Sequence, residues 1–470
     1  MMPANELCYM SADDLSVQIS SGRVSPVEVV QAHLDRVEET EDVLNSFITR
    51  PGERALEAAK LAEKEIQSGN YRGPLHGIPV GLKDIYYVEG MPNTSGSKIY
   101  DGFMPTHDGA VAERFKDAGA ILFGKLNMHQ FAFGPTGLNR DYGDMHNPWD
   151  PDRITGGSSG GSGSAAAAGQ CTITMGTDTG GSIRIPSALC GLSGIKPTYG
   201  RVSRYGLVPL SWSLDHPGPM GRTVEDCALA LKVIAGHDPR DPASIDAPLS
   251  DYRAALTGDV RGLRIGVPKE YFEVPVDVEI KNAVERALDV LARLGAEVKE
   301  VSWPMYHHSA AMSTVILYAE AAAFHRDMVL KRGNEYDPSI RWRIEAGLFI
   351  SGVDYIRAQR ARAAFTYSTA QLLQDVDILA GPMEPMIAPK IGEEQLKIDG
   401  QEIGVIAALT QYTRPFNLTG FPALTVPCGF SNGHPIGLQL AARPFEETTA
   451  LNAGYAYQQS TDWHTRRPPI

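Results

Sequence analysis

Three short segments of this sequence set reactive side chains where glycine gives the backbone unusual freedom. Gly156-Gly157-Ser158-Ser159-Gly160-Gly161-Ser162 and Gly176-Thr177-Asp178-Thr179-Gly180-Gly181-Ser182-Ile183-Arg184 each place serines in a glycine-rich turn. Glycine lets backbone amides converge on one point and accepts φ values closed to other residues. A serine at such a point is either a turn residue or a nucleophile beside an oxyanion hole. The third segment, Gly77-Ile78-Pro79-Val80-Gly81-Leu82-Lys83-Asp84, reads as an apolar strand that delivers a lysine at its end. Free lysine, with a pKa of about 10.4, is almost wholly protonated at neutral pH. Burial beside Ile78, Val80 and Leu82 lowers that value and makes the amine a base. Asp84 follows directly, but adjacent strand residues face opposite ways, so it is expected to point away. A serine nucleophile, a base that later acts as an acid, and aligned amide donors are what hydrolysis of an amide requires.

In these contexts Lys83, Ser158 and Ser182 resemble the Ser-cis-Ser-Lys triad of the amidase signature family. The likeness continues through Gly124-Lys125-Leu126-Asn127-Met128, Asn147-Pro148-Trp149, Pro186-Ser187-Ala188-Leu189-Cys190-Gly191, Lys196-Pro197-Thr198, Ser213-Leu214-Asp215-His216 and Phe421-Pro422-Ala423-Leu424-Thr425-Val426-Pro427, most of the chain. The resemblance implies that Ser182 Oγ attacks the carbonyl and that Ser158 passes the proton between Ser182 and Lys83. It implies an oxyanion hole from the backbone amides of Thr179, Gly180, Gly181 and Ser182, and a cis peptide between Gly157 and Ser158. Thr177 is expected to hydrogen-bond Lys83, and Asp178 to pair with Arg184 and hold the turn. Phe131, Ala132 and Phe133, with the region of Met383, Glu384 and Met386, are expected to line the substrate pocket. Aromatic and methionine side chains suit a flat or apolar amide, such as an anilide. Urea-like and carbamate substrates stay open.

Within that family the chain reads as a free-standing amide hydrolase. The alternative is the glutaminase subunit of a tRNA-dependent amidotransferase. That component usually carries glutamine where this chain has His216, and an aspartate for the glutamine amino group where it has Thr410. The resemblance implies that Arg343 stands where that component would hold the glutamine carboxylate. An intact triad argues against a catalytically silent scaffold.

Ser159 also fits G-x-S-x-G, but that turn needs an apolar strand before it, and Asp150-Pro151-Asp152-Arg153-Ile154-Thr155 is polar and broken by proline. Ser95-Gly96-Ser97-Lys98 and Ser193-Gly194-Ile195-Lys196 match S-x-x-K by chance, and no Gly-Lys-Ser/Thr follows the glycine loops. Histidines 107, 129 and 216 read as packing residues. The five cysteines show no CxxC pair, which points to buried thiols in a reducing compartment and to no metal. No cofactor is expected. The net charge of −13 argues against a nucleic-acid surface. No signal peptide or long apolar span is seen, so a soluble, cytoplasmic protein with no membrane partner is expected, with a homodimer possible.

The elements that must hold these groups can be read around them. Residues 1–70 read as an N-terminal helical layer, with Ser25-Pro26-Val27-Glu28 as a capping box. From residue 77, strand and helix patterns alternate through one amidase signature domain, 71–470. This predicts an α/β fold: a large mixed, mostly parallel twisted sheet covered by helices on both faces. The alanine- and glycine-rich stretch 164–169 predicts a helix lying close to the sheet, its N-terminus near Ser158. Residues 305–375 read as a helical region that shapes the substrate pocket.

Overall fold

Alternation of apolar residues after residue 77 builds an eleven-stranded sheet in the computed structural model, which describes residues 3–470. Its strands are β1 (Phe47–Thr49), β2 (Pro79–Lys83), β3 (Ile121–Leu126), β4 (Ile173–Asp178), β5 (Ser193–Lys196), β6 (His216–Gly221), β7 (Arg264–Pro268), β8 (Glu297–Val301), β9 (Ile378–Pro382), β10 (Ala423–Ser431) and β11 (His434–Ala442). They lie in the order β1-β3-β2-β4-β6-β5-β10-β11-β9-β7-β8. The sheet is mixed, as the pattern predicts, but less parallel than expected. Only β2 with β3, β2 with β4, β9 with β7 and β7 with β8 run parallel. The middle is antiparallel, and β10 and β11 form a hairpin through Asn432-Gly433, both at positive φ, a turn that twists with its strands.

Helices cover both faces. Leu424 and Val426 of β10 meet the helix Glu447–Gln459, while Thr425, facing the other way, lies by Ala188. The capping box forms: Glu28 N donates to Ser25 Oγ at 3.1 Å and Ser25 N donates to Glu28 Oε2 at 2.8 Å, starting α1 (Pro26–Leu44). This N-terminal segment is not purely helical, because it supplies β1. Val30 and Val37 of α1, Ala55 and Ala59 of α2 (Glu53–Gln67), and Phe47 bury one apolar cluster with Ile121, Phe123 and Leu126 of β3. That burial ties the layer to the sheet edge. No helix among the described residues is long and apolar enough to cross a membrane. All five cysteines are buried and unpaired with one another.

The alanine- and glycine-rich stretch forms α3 (Gly160–Ala167), beginning beside Ser159. It lies so close to the sheet edge that a Cβ at Gly161 would come within 2.4 Å of Ser46 O and 2.5 Å of Asn127 O. After β4, a tight turn leads into α4 (Arg184–Leu189). The region 305–375 is helical, with α5 (Ser309–Arg332), α6 (Pro338–Gly347) and α7 (Gly352–Asp375). Two short helices, α8 (Val405–Thr410) and α9 (Arg414–Thr419), precede the β10–β11 hairpin.

Candidate active site

Lys83 ends β2 fully buried, and its Nζ donates to Ser158 Oγ at 2.7 Å and to Thr177 Oγ1 at 2.9 Å. Burial pushes its pKa down to about 7, against the pull of Asp215 and Asp178. The amine is therefore a base near neutrality. Asp84 turns to the other face of the strand, as alternation requires, and pairs with Lys125 at 2.9 Å. Ser158 follows a cis peptide from Gly157, and its carbonyl accepts the His129 amide at 3.0 Å. Ser182 lies beyond β4 with its residue 7% exposed, in the wall of a pocket. No hydrogen bond joins the Ser182 hydroxyl to Ser158 among the described residues.

The turn carrying Ser182 is fixed by one buried carboxylate. Asp178 accepts from Arg184 Nε and Nη2, each at 2.9 Å, from Gly181 N at 2.7 Å and from Asn417 Nδ2 at 2.8 Å. Burial alone raises its pKa, but the charge and hydrogen bonds of Arg184 outweigh that and hold it below the usual carboxylate range. Arg184 itself reaches Gln439 Oε1 at 2.7 Å, Thr413 O at 3.1 Å and Asn417 Oδ1 at 2.8 Å. Gly181, at φ 130°, has no room for a side chain: a Cβ there would lie 2.5 Å from Ile185 Cδ1. Its amide is committed to Asp178. The amides of Thr179, Gly180 and Ser182 have no protein acceptor among the described residues. Thr179 is anchored by donating Oγ1 to Asp215 Oδ1 at 2.6 Å, and Asp215 in turn accepts the Leu210 amide at 2.9 Å.

The pocket is lined by Ala132 and Phe133, by Thr179, Gly180 and Ser182, by Leu317 and Tyr318 of α5 and by Arg343 of α6. The helical region 305–375 therefore does contribute to its wall. Phe131 does not. Phe131 and Ala132 both have positive φ, 51° and 58°, and this twist sends the Phe131 ring among Tyr100, His325 and Tyr336. Met383 and Met386 also lie elsewhere, packed with Leu189 and Leu409. Glu384 is buried nearby, its carboxyl pushed up by burial. Arg343 is buried, 7% exposed, and donates Nη1 to Phe133 O at 2.7 Å. Thr410 lines the pocket, its hydroxyl donating to Ile406 O at 2.8 Å. Arg414, which no motif in the sequence singles out, stands beside it. Its one local signal is an arginine just before the proline that opens α9, three residues ahead of Asn417.

Ser159 is buried behind the turn and donates to Thr177 O at 3.3 Å, away from the pocket lining. His129 and His216 are buried and held neutral, burial pushing His129 down to about 3. His107 packs between Tyr87 and Tyr205. Among the described residues no group of histidine, cysteine, aspartate and glutamate side chains converges as a metal site.

A family model described as Amidase matches residues 28–451. Over 99% of both sequences, the chain is 44% identical to the A subunit of the glutamyl-tRNA(Gln) amidotransferase of Chloroflexus aggregans (strain MD-66 / DSM 9485). It also superposes on a protein solved as part of an unexpected vestigial protein complex that reveals the evolutionary origins of an s-triazine catabolic enzyme. That match has a TM-score of 0.92 and 36% identity, covering 96% of this chain and 98% of the other. A bacterial aryl acylamidase of the amidase signature enzymes matches with a TM-score of 0.89 and 27% identity, covering 97% and 98%. These matches span more than one activity, and the exclusion of the amidotransferase branch drawn from His216 and Thr410 has no support in them.

Proposed function

This chain belongs to the amidase signature family and is a hydrolase of amide C–N bonds, and we propose that it cleaves a small carboxylic amide through an acyl-enzyme on Ser182. The observation that carries the reading is Lys83: buried, held near neutrality, and 2.7 Å from the Ser158 hydroxyl. Neutral Lys83 takes the Ser158 proton as Ser158 takes that of Ser182, and Ser182 Oγ bonds to the amide carbon. The amides of Thr179, Gly180 and Ser182 hold the oxyanion; Gly181 positions the turn. Lys83 returns the proton through Ser158 to the amine nitrogen as the C–N bond breaks. Water then enters, gives its proton along the same path, and frees the acid. Phe133, Tyr318 and Leu317 offer an apolar wall to the rest of the substrate.

A second reading, the glutaminase subunit of a tRNA-dependent amidotransferase, is favoured by 44% and 43% identity over 99% of the chain to sequences named as A subunits of glutamyl-tRNA(Gln) amidotransferase. Against it stand Thr410 and a pocket lining without aspartate or glutamate to receive an amino group. Amine or ammonia release by the purified protein separates the two, with a short aliphatic amide, an anilide, a substituted urea and glutamine as substrates. Turnover of a simple amide, reduced about 10⁴-fold or more in Ser182→Ala, supports the first reading. Turnover of glutamine alone, or only after partner proteins are added, establishes the second.

A further inference from the structure

The carboxylate of Glu320, half-buried on α5, accepts four hydrogen bonds, and none of its donors is a cation. Ser211 Oγ donates at 2.6 Å, the Ser213 amide at 2.9 Å, Ser213 Oγ at 2.7 Å and the Tyr355 hydroxyl of α7 at 2.7 Å. Arg362 of α7 closes on the same loop: Nη1 donates to Ser213 Oγ at 2.9 Å, Nη2 to Ser213 O at 3.0 Å and Nε to Leu418 O at 2.6 Å. Hydrogen bonds to an ionised group are shorter and stronger than neutral ones, so these contacts pin the 211–213 loop to the two helices. From that loop the contacts run on to the nucleophile's turn. Ser211, whose hydroxyl Glu320 holds, gives its amide to Asp215 at 3.1 Å, and Asp215 accepts the Thr179 hydroxyl at 2.6 Å. Leu418, held by Arg362, adjoins Asn417, which donates to Asp178 O at 3.0 Å. Asp178 is also braced by Arg184 and Gly181, whereas the Thr179 hydroxyl has Asp215 alone among the described residues.

We infer that Glu320 is a positioning residue for catalysis: through Ser211, Ser213 and Asp215 it fixes Thr179, whose amide then meets the oxyanion already aligned. This rests on the acyl-enzyme reading above, which gives that amide to the oxyanion. Preset donors act where charge develops, on the carbonyl oxygen in the transition state, and every amide substrate has that oxygen. The brace therefore acts on kcat and is indifferent to the size of the substrate. Leu317 and Tyr318, one turn earlier on α5, line the pocket, and a change in that wall would instead depend on what the substrate carries.

The test compares Glu320→Ala and Glu320→Gln with the wild type on the short aliphatic amide and the anilide, with thermal melts recorded alongside. Glu320→Ala is expected to lower kcat about tenfold or more, alike for both substrates, with KM within about twofold. Glu320→Gln fills the same space and its oxygen still accepts, so its kcat should fall between the two. Thr179→Val cuts the far end of the chain of contacts, so adding Glu320→Ala to it should lower kcat little further, where independent effects would multiply. A second readout needs no amide: a fluorophosphonate forms a tetrahedral adduct on Ser182, and its labelling rate should fall in the same order. A loss confined to the anilide, or one that multiplies with Thr179→Val, overturns the inference. So does an unchanged kcat in Glu320→Gln with Glu320→Ala either unchanged or unfolded, and each of these results leaves the hydrolase reading intact. Labelling that falls in the expected order, in a protein that turns over no amide, keeps the positioning role and removes the hydrolase reading.

Discussion

Lys83 and Lys125 lie on neighbouring parallel strands, one residue out of register, and both are fully buried, yet they end in opposite chemistry. Lys125 meets Asp84 at 2.9 Å and donates to Pro92 O at 3.1 Å, and Asp84 also accepts the Thr94 amide at 2.9 Å. Lys83 meets two hydroxyls and no carboxylate. Burial depresses both amines, but Asp84 opposes it directly at Lys125, whereas Asp215 and Asp178 act on Lys83 only at a distance. One aspartate, sent to one side by strand alternation, thus makes its sequence neighbour a base and the lysine across the ladder a structural cation. The lesson is that burial alone does not fix a lysine's role; the nearest counter-charge does.

The largest test of this contrast is Lys83→Met, which should cut amide turnover by about 10⁴-fold, as loss of a general base does. The same variant reads out on stability. The folded value near 7 lies below the ordinary 10.5, so between them the unfolded chain holds a proton that the native chain lacks. Native stability therefore climbs with pH across that window, and Lys83→Met should flatten the climb in urea unfolding at pH 7 and pH 9. A slope that persists would mean Lys83 is not the buried neutral amine.

Asp84→Asn should act on stability instead, stranding the Lys125 charge and destabilising the fold by about 3–5 kcal/mol in urea melts, while turnover per folded molecule is kept. Loss of turnover with an unchanged melt would reverse the roles of the two lysines. The smallest effect belongs to Thr177→Val. Turnover per unit substrate in the wild type should fall on the acid side of about pH 7 as Lys83 protonates. Thr177 accepts from that ammonium, so its removal should move the limb toward lower pH by a fraction of a unit. A shift toward higher pH would show that Thr177 does not stabilise the charged form.

What could be read without a structure followed from locality. Lys83, Ser158 and Ser182 are each announced by their immediate neighbours, glycine turns or an apolar strand, and Asp84 obeyed simple alternation. The pocket walls were not local. Phe131 and Phe133 look equivalent in sequence, and only the two positive φ values between β3 and β4 separate a core ring from a lining one. Arg414 gains meaning only where α5, α6, α8 and α9 converge. The antiparallel middle of the sheet was hidden for another reason. Strand β6 reads His216-Pro217-Gly218-Pro219-Met220-Gly221, and two prolines argue against a central strand, yet it sits between β4 and β5.

The clasp around Asp178 also sets a clock on biosynthesis. Arg184 leaves the ribosome early, whereas Thr413, Asn417 and Gln439, which hold it, come more than two hundred residues later. At about 5–20 residues per second, on the order of ten to fifty seconds pass between them. During that interval the nascent chain displays its serine but not the brace that shapes the serine's turn. Activity therefore begins only with the last strands, and a product cut short before residue 413 is inert even where its N-terminal layers have already packed.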